Sequence, residues 1–260
     1  QKMLDNDGRA LGAHYMGTGK TVQTLLALPD NAAVICVVPS CVKYNWANEC
    51  VRWRPDLTPV VCVKNTFRAP NPSELIIINP EGLPAWLSAV ADAEISITVA
   101  GKTKTVHYPH KNIATYKAQA AKHNVKINSI KLIKYGLPYA NLNNAKKLSG
   151  IILVADEAHM YKNPKAARSK KLSNLAHHCK QSMALTGTPL LTRPLDLWGV
   201  LATFGMQWEV FDNWNTFLRL FSAWKTGYGY SWGDPSPEVA ERLRRGMLRR
   251  TKVQVWADMP

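Results

Sequence analysis

The chain of 260 residues has no long apolar run, few acidic residues and no paired cysteine motif. Its longest purely apolar stretches, such as Leu75 to Ile78, are only a few residues long, whereas a membrane-spanning helix needs about 20 apolar residues. Its beginning has no signal-peptide architecture. The five cysteines are an odd number without a C-x-x-C pair, which favours neither a disulfide framework nor a zinc site. These absences predict an intracellular protein with reduced thiols, located in the cytoplasm, nucleoid or nucleus according to the host.

The shortage of acidic residues leaves a large positive charge. Lys and Arg total 33 against 18 Asp and Glu, which gives a formal net charge of +15. Such an excess favours a polyanionic partner, most simply nucleic acid, although a basic surface can also serve solubility. Hydrophobic residues make up 46% of the chain, so the sequence can build a sizeable core.

Short apolar runs alternate with helical patterns along most of the chain. The runs predict strands at Ala10 to Ala13, Ala33 to Val38, Val60 to Val63, Leu75 to Ile78, Ile151 to Ala155 and Ser182 to Leu185. Helices are predicted to begin at Lys20, Val42, Pro84, Ala166 and Pro194. The second helix is predicted to have one shared face formed by Val42, Trp46, Cys50 and Trp53. The alternation predicts an α/β fold with a mostly parallel sheet and helices on both faces, and ligands beyond the carboxyl ends of the strands.

A long insertion interrupts this alternation from Ala91 to about Leu148. Ile95 to Val99 and Val106 to Tyr108 alternate on either side of a turn at Gly101, which predicts a β-hairpin. A helix is predicted to follow, with a shared face formed by Ile113, Tyr116 and Ala120.

The insertion is also rich in lysine. Between Glu94 and Asp156 there are ten lysines and no acidic residue. One interpretation is a contact with the DNA backbone, because lysines that neutralise phosphates release counterions and bind without sequence preference. Lys102 and Lys104, on the predicted hairpin, are candidates for it. The alternative is a solvated basic face, and the sequence favours neither.

The last quarter of the chain contains a Trp-rich segment followed by a basic helix. The tryptophans are Trp198, Trp208, Trp214, Trp224 and Trp232. Their spacing favours core residues over a platform for base stacking, since they do not form one exposed stripe. The helix is predicted over Pro237 to Arg250, with Leu243 and Met247 on its buried face.

A glycine loop follows the first predicted strand, in the segment Met16-Gly17-Thr18-Gly19-Lys20-Thr21. Glycines let backbone N–H groups close around phosphate oxygens, and the helix that follows presents its positive end to the same anion. Lys20 would reach the β- and γ-phosphates, and the Thr21 hydroxyl would ligate magnesium. The strict template G-x-x-x-x-G-K-[ST] is not met, because His14 stands at its first glycine. The alternative is a Gly-rich turn with an incidental lysine.

Two further motifs follow later strands. Asp156-Glu157-Ala158-His159 follows an apolar run, and its carboxylates are suited to ligating magnesium and orienting the attacking water. Leu185 to Pro189 follows the next strand, and small hydroxyl residues around Gly187 are suited to linking a carboxylate with neighbouring backbone. Each motif alone has a plain alternative, an acidic strand exit or a turn ended by proline. The occurrence of loop, carboxylates and turn together, each after a predicted strand, favours the functional interpretation.

In this order the three motifs resemble the RecA-like first motor domain of helicase superfamily two. The Trp53 region and the Trp-rich segment resemble the HepA-related annealing helicases, which are of the Swi/Snf type, and other segments narrow the resemblance to the Swi/Snf-type DNA translocases. The segments are Val37-Val38-Pro39-Ser40 with Asn45-Trp46 and Glu49, Lys162-Asn163 after the acidic pair, Pro194 with Leu197, and Met247 to Lys252.

The resemblance implies a DNA-dependent ATPase that uses ATP and magnesium and acts on duplex or branched DNA. It implies catalytic roles for Lys20, Asp156 and Glu157, with magnesium held by Thr21 and Asp156. The other implied nucleotide contacts are Gly17, Thr18 and Gly19. Residues implied to link the nucleotide to the DNA side are His159, Thr186, Gly187 and Thr188. The candidate DNA contacts in the motor itself are Pro39, Ser40 and Asn79.

The resemblance also predicts the domain organisation. Residues 1–200 would form the ATP-binding domain, with the insertion at about 91–148, and residues 201–260 a helical appendage leading to a second RecA-like domain. That second domain, which carries an arginine finger, is absent, and a finger is worth on the order of 10³–10⁵ in turnover. We therefore expect weak ATPase activity from this chain alone. Local contacts are also expected to differ at His14 and Tyr15, where the family has acidic residues, and at Thr18, where it has leucine.

Two rival functions remain open from the sequence. A viral DNA-packaging ATPase shares the glycine loop and the acidic pair, but it does not explain Asn45-Trp46 or Met247 to Lys252. A non-catalytic nucleic-acid-binding module with a relic nucleotide site is the other, and the intact Lys20 and Asp156 argue against it.

Overall fold

The computed structural model describes residues 8–63, 66–87, 90–99, 102–109, 117–118, 120–121, 126–136, 148–188, 193–227, 229–251 and 253–254. Within these ranges a sheet of seven strands, every neighbouring pair parallel, forms the centre of the molecule. Its strands are β1 (Arg9–Gly12), β2 (Val34–Val37), β3 (Thr58–Val61), β4 (Glu74–Ile78), β8 (Ile152–Ala155), β9 (Gln181–Leu185) and β12 (Met247–Leu248). Their spatial order is β12-β1-β9-β8-β2-β4-β3. The strands β10 (Trp224–Thr226) and β11 (Gly229–Ser231) form a separate antiparallel pair. All six predicted strands are confirmed, within two residues at each end.

The helices lie on both faces of this sheet. They are α1 (Lys20–Ala27), α2 (Lys43–Trp53), α3 (Ala167–His178), α4 (Pro194–Thr203), α5 (Gln207–Phe211), α6 (Trp214–Leu220) and α7 (Glu238–Gly246). Along β2, Ile35 and Val37 belong to a core cluster that extends into α3 to α7, whereas Val34 and Cys36 belong to a second cluster with α1 and α2. Because successive side chains of a strand point to opposite faces, the two clusters lie on opposite sides of the sheet. The predicted α/β fold with a parallel sheet covered on both faces is confirmed.

The helix predicted to begin at Pro84 is wrong. A single 3₁₀ turn, Ala85–Leu87, occupies that position. Two side chains of α3 donate hydrogen bonds to backbone oxygens at this turn. Lys171 Nζ donates to the oxygen of Leu83, just before the turn, and Asn174 Nδ2 to the oxygen of Leu87, its last residue, both at 2.7 Å. The buried residues Leu83 and Leu87 therefore reflect packing against α3 rather than a helical repeat.

The face predicted for the second helix is correct only in part. Trp46 and Cys50 are buried, but Trp53 is 40% exposed, and Val42 belongs to a 3₁₀ turn, Ser40–Val42, that precedes α2. The helix begins one residue after Val42 and its last residue, Trp53, is exposed, so the four residues do not share one buried stripe.

The insertion forms a separate antiparallel sheet in the order β6-β5-β7. Its strands are β5 (Val90–Val99), β6 (Lys102–Pro109) and β7 (Lys126–Gly136). The predicted hairpin is confirmed, with Ile95 opposite Val106. The third strand was not predicted, because three lysines and one asparagine among its eleven residues mask its β pattern. Ile113 and Tyr116, on the predicted helix, lie outside the described residues.

The C-terminal part packs its aromatic side chains onto the main core. Phe217 is the centre, and its ring centroid lies 4.9 Å from Trp198, 5.4 Å from Trp214 and 5.7 Å from Trp232. For these three tryptophans the core interpretation is confirmed. It is wrong for Trp208 and Trp224, which are 55% and 54% exposed.

The basic helix also ends earlier than predicted. α7 ends at Gly246, and Met247–Leu248 forms the edge strand β12 beside β1. Hydrogen bonds along β1 and its continuation hold this segment extended: the Ala13 amide donates to the Leu248 oxygen at 2.7 Å and the Tyr15 amide to the Arg250 oxygen at 3.1 Å. No helix in the described part of the chain is long and apolar enough to cross a bilayer. The boundary predicted between residues 200 and 201 stays a prediction.

Candidate active site

The glycine loop lies between the carboxyl end of β1 and the first residue of α1. Gly17 and Gly19 have φ angles of 79° and 75°, in the left-handed region that glycine adopts without steric cost. A Cβ atom on either would meet nothing within 4 Å, so the space beside both residues is open. The loop therefore combines free space with the N-terminus of α1, which begins at Lys20 and attracts anions. This geometry fits the phosphate groups of a nucleotide.

Lys20 lies against the backbone of the same loop. Its ammonium donates to the His14 oxygen at 3.4 Å and to the Tyr15 oxygen at 3.5 Å. Both contacts are long and join the ammonium to neutral carbonyls, so a phosphate oxygen would be a stronger partner. The side chain is thus held beside the loop and available to an anion.

Thr18 has a structural part in the loop. Its hydroxyl donates to the Tyr15 oxygen at 2.7 Å, and its own carbonyl accepts from Gln23 Nε2 at 2.7 Å. The residue is 7% exposed. These bonds fix Thr18 within the loop, and its own amide also donates to the Tyr15 oxygen, at 3.4 Å.

The acidic pair stands at the carboxyl end of β8. The Asp156 amide donates to the Val37 oxygen at 2.9 Å, which extends the ladder with β2 by one bond. Its Oδ1 accepts from the Glu157 amide at 2.9 Å, and its Oδ2 from the indole Nε1 of Trp46 at 3.0 Å. Glu157 has a φ of 49°, which is uncommon for a residue other than glycine, and residues held in such conformations cluster at functional sites.

The residues predicted to link the motifs contact one another. His159 Nδ1 lies 3.1 Å from Glu157 Oε2 and 3.3 Å from Thr186 Oγ1. The same Thr186 oxygen accepts from the Thr188 amide at 3.2 Å. Side-chain contacts therefore connect the end of β8 to the end of β9, from the Glu157 carboxylate through His159 to Thr186.

The end of β9 is also joined to the glycine loop. The Thr186 amide donates to the Gly12 oxygen at 2.9 Å, so β9 and β1 end together. A Cβ on Gly187 would lie 2.8 Å from Met16 Cγ and 3.7 Å from Lys20 Nζ. Glycine lets the two loops pack this closely. Because β1, β9 and β8 are neighbours in the sheet, all three motifs meet at one edge.

A magnesium ion bound with a nucleotide fits this edge. Such an ion takes one or two protein oxygens and completes its shell with phosphate oxygens and water. Asp156 supplies a carboxylate at a strand end, and Thr21 supplies a hydroxyl in the first turn of α1. Among the described residues there is no cluster of three or more His, Cys, Asp or Glu, and an ion of this kind does not require one.

The candidate DNA contacts lie just after the ends of two neighbouring strands of the main sheet, or in the insertion. Pro39 follows β2 and Asn79 follows β4, and these strands are neighbours, with the Val38 amide bonded to the Ile78 oxygen at 2.9 Å. Ser40 is exposed, whereas the Asn79 amide group donates to Glu81 Oε2 at 2.8 Å. Lys102 and Lys104 belong to β6, and their side chains lie outside the described part.

Sequence reasoning missed two partners of the site. His14 is 8% exposed, and its Nδ1 accepts from the Arg250 amide at 3.0 Å. Burial, followed by the charges of Arg250 and Lys20, lowers the pKa of His14, which keeps this nitrogen free to accept. Trp46 is the other, and its place on the second predicted helix gave no sign that it reaches Asp156. Both contacts join residues more than 100 positions apart.

Comparison with known proteins identifies the family of this chain. A family model described as the SNF2-related domain matches residues 6–260. The SWI/SNF-related matrix-associated actin-dependent regulator of chromatin subfamily A-like protein 1 of Xenopus laevis is 25% identical over 99% of this chain and 22% of that protein. The DNA annealing helicase and endonuclease ZRANB3 of Bos taurus is 24% identical over 99% of this chain and 20% of that protein. The chain thus spans about a fifth of the length of these relatives.

Solved structures show the same fold. The SWI2/SNF2 ATPase core domain of Sulfolobus solfataricus superposes with a TM-score of 0.59 at 19% identity, covering 100% of this chain and 43% of that one. The same core solved in complex with dsDNA gives a TM-score of 0.57 at 18% identity, covering 96% of this chain and 42% of that one. The family match sets aside the viral packaging class. The chain belongs to the SNF2-related domain family and has the RecA-like fold of a SWI2/SNF2 ATPase motor domain.

Proposed function

We propose that this chain binds ATP with magnesium where β1, β9 and β8 end, and that its parent protein couples hydrolysis to movement along duplex or branched DNA. The observation that carries the proposal is the convergence of the glycine loop, the acidic pair and the Thr186 turn at one edge of the sheet. The family and the fold support the same function, since SWI2/SNF2 motors are ATPases and one structural neighbour is solved with dsDNA.

Each residue of the edge has a chemical task in this proposal. The loop amides and Lys20 bind the phosphates and offset their charge. Asp156 and Thr21 hold the magnesium ion, which supplies charge neutralisation at the β- and γ-phosphates when bound. Glu157 orients the attacking water and takes its proton, and His159 holds that carboxylate at 3.1 Å.

The DNA surface and the second half of the site are the less direct parts of the proposal. Pro39, Ser40 and Asn79, at the ends of β2 and β4, would contact DNA, and Lys102 and Lys104 would add phosphate contacts from the insertion. A second RecA-like domain of the parent chain would follow the segment at Arg250 and complete the site with an arginine. The parent protein would then act on DNA inside the cell.

The test is ATP turnover by the parent protein without DNA and with single-stranded, duplex and forked DNA. We expect strong stimulation by duplex or forked DNA, which Glu157→Gln abolishes while nucleotide binding persists. Lys20→Ala should abolish nucleotide binding as well. Glu74→Gln, an isosteric change on the exposed Arg68 pair away from this edge, is the matched control and should leave turnover unchanged.

Two outcomes contradict the proposal. Turnover that does not depend on DNA excludes a DNA motor. Nucleotide binding that is absent, or that persists undiminished in Lys20→Ala, indicates a relic site in a nucleic-acid-binding module.

A further inference from the structure

The indole of Trp46 makes a direct hydrogen bond to the carboxylate that would receive magnesium. Its Nε1 donates to Asp156 Oδ2 at 3.0 Å, across 110 positions of sequence. The other carboxylate oxygen, Oδ1, accepts from the Glu157 amide at 2.9 Å. With a donor on each oxygen, the plane of the carboxylate is fixed. Each oxygen keeps a second lone-pair direction, so the group can still bind a cation.

The donor itself is held rigidly. Trp46 is 1% exposed and is one of the largest fully buried side chains in the described residues. It belongs to the core cluster of α1, α2 and the sheet, together with Cys36, Cys50 and Val154. Such a close-packed ring cannot rotate without disturbing its neighbours. The position of the N–H is therefore set by the core and not by the loop that contains Asp156.

A second tryptophan on the same helix offers a comparison. Trp53 Nε1 donates to Glu49 Oε2 at 2.8 Å, and this ring is 40% exposed. The bond chemistry is the same, an indole N–H to a carboxylate. Only the Trp46 bond reaches a strand end and a candidate metal ligand.

We propose that Trp46 is a positioning residue for magnesium: its N–H orients the Asp156 carboxylate so that an oxygen faces the ion bound with ATP. The inference rests on the proposed nucleotide site. Partners that orient a metal ligand from outside the coordination shell are worth about 10–100-fold in metal affinity or activity. The alternative is that the buried indole only satisfies its own N–H, as buried tryptophans commonly do.

The experiment compares Trp46→Phe with wild type in the parent protein, using a fluorescent ADP analogue titrated in EDTA and at increasing magnesium. We expect nucleotide affinity in EDTA to stay unchanged, while the magnesium concentration that gives half of the metal-dependent gain rises about 10–100-fold. Trp53→Phe should leave both quantities unchanged. If Trp46→Phe does not fold, benzothienylalanine at position 46, which has sulfur in place of the N–H, provides the same test in a ring of the same shape.

The outcomes separate this inference from the proposed function. An unchanged magnesium requirement in the folded Trp46 variant, or an equal loss of affinity with and without magnesium, overturns the positioning role. Wild type that shows no magnesium-dependent nucleotide binding overturns the proposed site itself.

Discussion

Arg54 closes the C-terminal end of α1, the helix that follows the glycine loop at its other end. The side chain is almost fully buried, with the residue 7% exposed. Its Nη1 donates to the carbonyl oxygens of Leu25 at 2.9 Å and Leu28 at 2.6 Å, both in buried surroundings. Nε and Nη2 form a two-pronged pair with Asp56 at 2.8 and 2.7 Å. The last carbonyls of a helix have no partner within it, so this cation satisfies groups that the helix leaves open.

Arg54→Ala removes these donors without admitting a replacement. Each buried acceptor that loses its partner costs about 1–3 kcal/mol. The Leu25 oxygen keeps the Leu28 amide as a donor at 3.3 Å, so the Leu28 oxygen is the acceptor that loses its partner. The expected loss in the free energy of unfolding is therefore about 1–3 kcal/mol, a sizeable part of the roughly 5–15 kcal/mol that stabilises a typical domain.

Urea unfolding followed by far-UV circular dichroism measures this loss as a lower midpoint at constant slope. The matched control is Arg68→Ala. Arg68 forms the same two-pronged pair with Glu74, at 2.6 and 2.8 Å, but its side chain is 47% exposed and satisfies no buried helix end. We expect a much smaller shift there, since exposed ion pairs contribute little. If Arg54→Ala shifts the midpoint no further than Arg68→Ala, the argument from buried carbonyls is wrong.

Two further predictions concern His14 and Gly199. Because burial and Arg250 lower the pKa of folded His14, the unfolded chain binds more protons below about pH 6.5, so stability should fall as the pH drops from there toward the lowered pKa. His14→Asn keeps an acceptor that does not titrate, and its urea midpoint should depend less on pH between 7.5 and 5.5; an equal pH dependence contradicts the prediction. In Gly199→Ala the new Cβ would lie 1.8 Å from the Lys162 oxygen, so α4 must shift and we expect a loss of about 1–3 kcal/mol in the same assay. Gly246→Ala, with its nearest atom at 3.2 Å, should cost less, and equal losses would refute the steric explanation.

Much of the site could be predicted from the sequence because its parts are local. The run Ile152–Ala155 is fully buried, and the acidic pair that follows it must stand at a strand end. Gly17 and Gly19 adopt left-handed angles that few other residues tolerate, so their spacing before Lys20 indicates the loop directly. A parallel sheet then brings strand ends to one edge, whatever the order of the strands.

The sequence by itself determined the strands, the glycine loop and the residues of each motif, because these depend on residues within a few positions of one another. Only the tertiary structure decided which strands are neighbours and which distant side chains meet. Trp46 reaches Asp156, and His14 accepts from Arg250, because core packing sets the positions of whole helices and strands. Tertiary contacts also explain the two differences from the predicted helices. Side chains of α3 donate to backbone oxygens near Pro84, where a helix was expected, and Met247–Leu248 pairs with β1 as a strand. Contacts between distant segments depend on how faces fit together, and no local pattern contains that information.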